Sequence, residues 1–434
     1  MNFLYANDEN GRYPRSWYTA TTDTDQPRPP LRGDVQADVC IIGAGYTGLS
    51  AALHLAHLGF DVVVCDAHRV GFGASGRNGG QVGAGFNTPQ KYLEKRLGQD
   101  AARSLWDMTQ DAKALVKTLC AEYAPDAGYT PGIARADFQT SDLAETHADV
   151  DYLAQHYGYD QMQKLGADDM AAIVKSPRYV GGAIDWGAAH LHPLRFAIGL
   201  ARAAVAAGAQ IFETTPVQRV DTTGPTPVVH NDKGRVTAQH VIHATNGYHS
   251  GLNRHQAAKV MPLNNYLVAT APLDNPAEVL ARDIAVFDNR FVLNYYRLSH
   301  DNRLIFGGGE SYGAQFPRDI FAKVRRPLLH LFPQLRGVEL THAWGGTLGI
   351  TPTRLPYFAH VGQNQLAACG YSGHGVAMAT FAGQVLAHTI TGQQGKFDVL
   401  SQLPVPNFPG GPALRAPLMT LAMTWFALRD KLGI

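Results

Sequence analysis

The stretch "ADVCIIGAGYTGLSAALHLAHLGFDVVVCDAHR", residues 37–69, decides how the chain is read. Val39 to Ile42 is a β-branched apolar run that stops at Gly43-Ala44-Gly45-Tyr46-Thr47-Gly48, after which Leu49, Ala52, Leu53 and Ala56 recur at helical spacing. Gly59 ends that helix, Asp61 to Cys65 forms a second strand, and Asp66 closes it. In such a strand–helix–strand unit one glycine makes the turn, a second admits the backbone to a pyrophosphate, and a third lets helix pack on strand. The positive helix end favours the phosphate charge. Gly43, Ala44, Gly45, Thr47 and Gly48 are therefore expected at a dinucleotide pyrophosphate, with Asp66 and the adjoining Ala67 at the ribose hydroxyls.

The segment beyond the second strand separates FAD from NAD. In a nicotinamide dehydrogenase that strand leads to another helix of the sheet, whereas here it leads to "GFGASGRNGGQVGAGF", residues 71–86. A segment with so few side chains can lie closely along a bulky ligand, which favours a flavin. Ala74, Ser75, Gly76, Asn78, Gly79, Gly80 and Gln81 are the expected contacts.

A second glycine-rich turn lies far downstream. In "NQLAACGYSGHGVAMATFAGQVLA" an apolar run ends at Cys369, the turn Gly370-Tyr371-Ser372-Gly373-His374-Gly375 comes next, and a helix is expected over 376–387 with Ser372 as its cap. Gly370, Gly373, His374, Gly375 and Val376 would present free N–H groups where a reduced flavin becomes anionic. His374 has two readings, backbone packing against the ring or general base. Cys369 reads as a core residue rather than a covalent anchor, so the FAD is expected to be held noncovalently.

These two turns, together with "YYRLSHDNRLIFGGGE" (295–310), resemble the D-amino-acid-oxidase-like group of FAD enzymes, most closely its members that oxidise gamma-glutamylputrescine. The resemblance runs from about residue 36 to the end, including "FPGGPALRAPL" and "LRDKLG". It implies an α/β fold: a Rossmann-like FAD/NAD(P)-binding domain of the glutathione-reductase-like flavoprotein type, with a second α+β substrate domain built on an antiparallel sheet. It also implies that Val217 meets adenine through its backbone and that the chain at Thr245 passes near the phosphates.

The implied chemistry is FAD-dependent amine oxidation. A hydride leaves the carbon beside a neutral amine, that of gamma-glutamylputrescine or a related polyamine derivative, for flavin N5, and the aldehyde is expected with release of ammonia and hydrogen peroxide. The partners are thus a small-molecule amine and oxygen or another electron acceptor. Tyr266, Tyr295, Tyr296, Trp344 and Tyr357 are candidate pocket walls, and His374, Tyr296 and Trp344 the candidate catalytic residues. Members of the group that oxidise small amino acids commonly hold the carboxylate with a lysine near the position of Ala377, where this chain has no charge. A gamma-glutamylated diamine stays compatible, its carboxylate meeting Arg77 or Arg297, or its ammonium meeting Glu310. The alternatives are a D-amino-acid or glycine/sarcosine-type oxidase or dehydrogenase, or a nucleotide-binding scaffold without turnover, against which the glycine-lined turns argue.

The remaining residues set bounds. A chain of 434 residues exceeds one hydrophobic core, so two domains are expected. A net charge of +1 offers no basic field for nucleic acid or an anionic membrane. Cys40, Cys65, Cys120 and Cys369 form no metal-ligand spacing, and their apolar settings suggest reduced thiols. With no secretory leader in the opening residues, a cytoplasmic location is expected. The apolar segment 416–434 falls short of a membrane span and is expected to pack as a terminal helix. Helical patterns over 87–180 and alternating strands over 256–340 give the expected partition: FAD domain 36–90, 181–255 and 341–395; substrate domain 91–180 and 256–340; arm 1–35; helical tail 396–434.

Overall fold

β-branched runs that are apolar on both faces belong in a sheet covered on both sides. In the computed structural model, which describes residues 3–7, 11–249, 251–290 and 292–409, such runs form the centre of a parallel sheet. The strand Gly33–Ile42 pairs in parallel with Val62–Cys65 on one side and Gly234–His243 on the other. Gln210–Phe212 and Gln365–Cys369 extend the parallel set at its two ends, and Tyr357–Gly362 closes one edge antiparallel. The helices Tyr46–His57, Pro193–Ala206 and Gly375–Ile390 cover one face, with Gln99–Tyr123 packed across them. Over the other face lies the hairpin Arg219–Asp221/Val228–His230, enclosing a small core of Cys40, Ile42, Val63, Val229 and Val236.

The second sheet has nine strands, antiparallel except where Ala285–Asp288 runs parallel to Thr130–Asp137. Alternation decides its two faces. Tyr266, Val268, Ile184, Val286, Tyr296 and Phe306 turn to one side, under the helix Ile320–Leu331, while their neighbours turn to the other.

This sheet corrects the expected partition. Gly181–His190 and Leu340–Ile350, expected in the FAD domain, pair in the second sheet, and so does Gln81–Val82. Conversely, Gln99–Tyr123 packs on the helices of the first layer rather than with the substrate sheet. A strand's own sequence shows that it pairs, not with which sheet. The opening segment is more than an arm: it contains the short helix Trp17–Ala20, whose Trp17 and Tyr18 are buried in the main core. The helix Gly395–Ser401 begins the expected tail, but 410–434 lies outside the described residues. Among the described residues no helix is long and apolar enough to cross a membrane.

Candidate active site

The first turn is built by close main-chain approach. Gly43 adopts φ +112° and a Cβ there would lie 2.8 Å from the Ala244 carbonyl oxygen; one at Gly48 would overlap the Gly43 carbonyl. Asp66 shapes the turn from below, its Oδ2 accepting from Ala44 N at 2.6 Å and its Oδ1 from His68 N at 2.8 Å. Burial pushes the Asp66 carboxyl up, opposed by those two N–H donors. Ser75 Oγ accepts from Tyr46 N at 3.0 Å, and a Cβ at Gly45 would sit 2.8 Å from that oxygen.

The second turn meets the first. Thr47 Oγ1 and the Tyr371 hydroxyl share a hydrogen bond of 2.7 Å, and Asn87 Nδ2 donates to the Ser372 carbonyl at 2.8 Å. Ser372 does not cap the helix as expected: its hydroxyl accepts from Thr351 N and donates to Gly370 O. His374 stands at the N-cap of Gly375–Ile390 without a side-chain cap bond, so the first N–H groups of that helix stay open toward the cavity. Burial lowers the His374 imidazole below its ordinary range, opposed by a hydrogen bond to the Gly85 backbone and reinforced by the nearby Arg354 charge.

Both turns and the cavity-facing side of the second sheet enclose one cavity of about 690 Å³. From the sheet come Asn265, Leu267, Phe287, Tyr295, Leu348 and Ile350. Tyr295 lies between two bare positions. A Cβ at Gly79 would be 2.7 Å from its ring, and one at Gly307 would overlap it. Its hydroxyl donates to Asn265 Oδ1, and burial raises the phenol. Four acids also face the cavity, Asp149 paired with Lys91 and three others held by neutral donors. Asp185 accepts from the Tyr159 hydroxyl at 2.6 Å, Glu310 from Tyr312 at 3.0 Å, and Asp288 from Asn294 Nδ2 at 2.6 Å.

This geometry, a glycine-turn nucleotide fold joined through one cavity to a substrate sheet, agrees with what known proteins show. The family model for FAD dependent oxidoreductases (DAO) matches residues 38–389. The chain belongs to this family. It is 40% identical to the probable oxidoreductase OrdL of Rhizobium meliloti, with 96% of this chain and 97% of that protein covered. It is 38% identical to the gamma-glutamylputrescine oxidoreductase of Escherichia coli, covering 96% and 99%. Among solved structures, glycine oxidase from Geobacillus kaustophilus superposes with a TM-score of 0.72 at 20% identity, covering 84% of this chain and 97% of that one.

As a member of the family the chain is an oxidoreductase whose cofactor is FAD. The residues fit that group: the cradle at Gly43, Gly45 and Gly48 would be filled by side chains anywhere else, and the open helix ends at Tyr46 and Gly375 face one space. Of the expected contacts, the cavity gathers Gly45, Thr47, Ala74, Ser75, Asn78 and Gly79, then Gln81, Gly373, His374, Gly375 and Val376. Gly43, Ala44, Gly48 and Gly76, and likewise Gly80, Thr245 and Gly370, stand behind the wall. Asp66, Ala67 and Val217 do not line the cavity, and Val217 packs against the small core beneath the hairpin. The glycine-rich stretch is bare partly for packing. Gly76 crowds Leu194 and the Gly71 carbonyl, and Gly80 crowds the Leu191 carbonyl.

Several expected residues do other work. Tyr296, expected in catalysis, points away from the cavity, bonding the Tyr179 hydroxyl at 3.2 Å, because alternation admits one of two adjacent strand residues. Trp344 is on the cavity side of its strand, but Arg77 and Tyr18 cover it, and its Nε1 donates to Arg77 O at 3.1 Å. Tyr266 faces the opposite core, where it bonds Ser311, and Tyr357 lies on the edge strand of the first sheet. Arg77 gives its guanidinium to Phe72 O and Gly345 O, and Arg297, off the cavity, gives Nε to Gly79 O and Nη1 to Leu298 O. Sequence reasoning missed Asn265, Asp288 and Arg354 in the wall. For Asn265 the signal was present, since it stands one place from Tyr266 in an alternating strand; for Arg354, in a turn, there was none.

Proposed function

We propose that the chain oxidises the primary amine of a gamma-glutamylated diamine, gamma-glutamylputrescine foremost, to the aldehyde with release of ammonia. The supporting observation is a cavity that joins the two glycine-rich turns to an aromatic, acid-bearing sheet face. When bound, noncovalent FAD supplies the two-electron acceptor. Cys369, the nearest thiol to the second turn, is buried and off the wall, which supports noncovalent binding. The wall excludes bulk water with Leu267, Phe287, Leu348 and Ile350, a setting that favours the neutral, reactive amine. Tyr295, fixed through Asn265, positions the substrate chain, and buried His374 supports the second turn from the N-cap of its helix. Ala377 is buried within the helix and offers no charge to a short amino acid, which disfavours the glycine/sarcosine and D-amino-acid alternatives. The balance is amine plus water plus acceptor giving aldehyde, ammonia and reduced acceptor. Four buried free cysteines support a reducing compartment, the cytoplasm, as the place of action.

The test is anaerobic bleaching of the yellow holoenzyme by gamma-glutamylputrescine, putrescine, sarcosine, glycine and D-alanine, followed by admission of air. Bleaching by the glutamylated diamine supports the reading; no bleaching by any polyamine derivative overturns it. Return of colour with peroxide on aeration identifies oxygen as the acceptor.

A further inference from the structure

The charged side chains of the cavity wall are nearly all engaged. Lys91 pairs with Asp149 at 3.0 Å, Arg135 with Asp137 at 3.0 Å, and Arg77 serves backbone carbonyls. Arg354 differs: it lines the cavity, and among the described residues its side chain makes no hydrogen bond and closes no ion pair, although its charge acts on Glu310, Tyr312 and His374. Nor is its placement casual. It sits at φ +61°, a left-handed conformation that costs a non-glycine residue energy, in a turn fastened by Arg354 N to Thr351 O at 3.2 Å and Thr351 Oγ1 to Leu355 O at 2.7 Å. The chain thus holds a strained backbone that directs an unengaged guanidinium to this wall.

Glu310 faces the same region from the strand Leu304–Ser311. One carboxylate oxygen accepts from Tyr312, leaving the other open. Arg354 and Glu310 are close enough to influence one another, and Lys323 adds a weaker field on Glu310, but no ion pair closes between them. Opposite charges that face one cavity without meeting leave space for a group carrying both. A plain diamine would set an ammonium against Arg354, and a simple carboxylate would set an anion against Glu310.

We infer that Arg354 and Glu310 form a clamp for a zwitterionic α-amino-acid head group, Arg354 taking the carboxylate and Glu310 the ammonium, at the end of the substrate remote from the reacting amine. This rests on the proposed function for the reacting end, and it assigns the glutamyl end. Arg354 and Glu310 are specificity residues; neither moves a proton or electron.

The experiment compares holoenzyme of wild type, Arg354→Gln, Arg354→Lys and Glu310→Gln. Two readouts are used: kcat/KM for gamma-glutamylputrescine relative to N-acetylputrescine, which keeps the amide but lacks the zwitterion, and the thermal shift produced by L-glutamine. Arg354→Gln is expected to reduce the preference for the glutamylated amine about 10- to 100-fold, mainly through KM, with partial recovery in Arg354→Lys. L-Glutamine is expected to raise the melting temperature of wild type and not of Arg354→Gln. Turnover of gamma-glutamylputrescine with an unchanged preference in both Arg354 variants overturns the clamp and leaves the proposed function standing. Failure to turn over gamma-glutamylputrescine, with an L-glutamine shift that Arg354→Gln abolishes, overturns the proposed function and leaves the clamp standing. Absence of an L-glutamine shift in wild type counts against the clamp in either case.

Discussion

At the scale of single residues, Tyr295 and Tyr296 show how one step along a strand changes a role. Tyr295 stands in the cavity wall with its hydroxyl on Asn265, while Tyr296 stacks on Phe306 in the opposite core. Tyr295→Phe is expected to slow anaerobic flavin reduction about tenfold, because it releases Asn265 from its partner. Tyr296→Phe is expected to leave the reduction rate unchanged and to lower stability by about 1 kcal/mol through loss of the Tyr179 bond. Stopped-flow reduction and thermal melting separate the two. Asp288 gives a pH prediction. Burial pushes its carboxyl up to about 6, against donation from Asn294 and the Arg290 amide. Because the folded state holds the proton more tightly than the unfolded one, its contribution is fully present below about pH 4 and lost as pH rises through about 6. Relative to Asp288→Asn, wild type should therefore lose about 2–3 kcal/mol between these limits in denaturant titrations at stepped pH. A constant difference between the two proteins would contradict this.

At the scale of elements, what matters is how closely backbone approaches backbone. The helix Gly375–Ile390 crosses Tyr46–His57 at Gly383, where a Cβ would overlap the Thr47 carbonyl and lie 2.6 Å from Ala51 N. That crossing joins the helices that start at the two glycine-rich turns. Gly383→Ala is expected to separate them, costing about 1–3 kcal/mol of stability and weakening FAD binding at least tenfold, read by fluorescence titration of the apoprotein. The existence of both helices was legible from apolar spacing, since a strand, a glycine turn and a helical period each leave a local mark. Gly383 was not legible, because nothing near it in the chain shows which helix it will touch. Likewise the cap assigned to Ser372 goes to no side chain, because that hydroxyl is drawn to Thr351 and Gly370.

At the scale of the whole molecule, the cavity has no wall built from one stretch of chain: residues 45–47, 74–91, the second sheet and 371–379 all contribute. A ligand that bridges such segments stabilises the folded state through mass action, by about 2.7 kcal/mol at a hundredfold excess over its Kd. Stripped of FAD, the protein is expected to melt several degrees lower and to expose 71–91 to proteolysis. FAD should restore both properties and NAD neither; recovery with NAD would point to a different cofactor site.

The sequence by itself determined the nucleotide end, the nature of the cofactor and the presence of a second, strand-rich layer. Those properties rest on local steric and periodic rules: bare turns, β-branched runs and helical spacing leave their marks within a few residues. Only the tertiary structure decided that Gly181–His190 and Leu340–Ile350 belong to the second sheet, that Tyr295 and not Tyr296 faces the cavity, and that Arg354 rather than Arg77 or Arg297 keeps an open guanidinium there. Each of these depends on which distant backbone a group meets first, and a side chain's choice among partners is settled by packing, not by its neighbours in the chain.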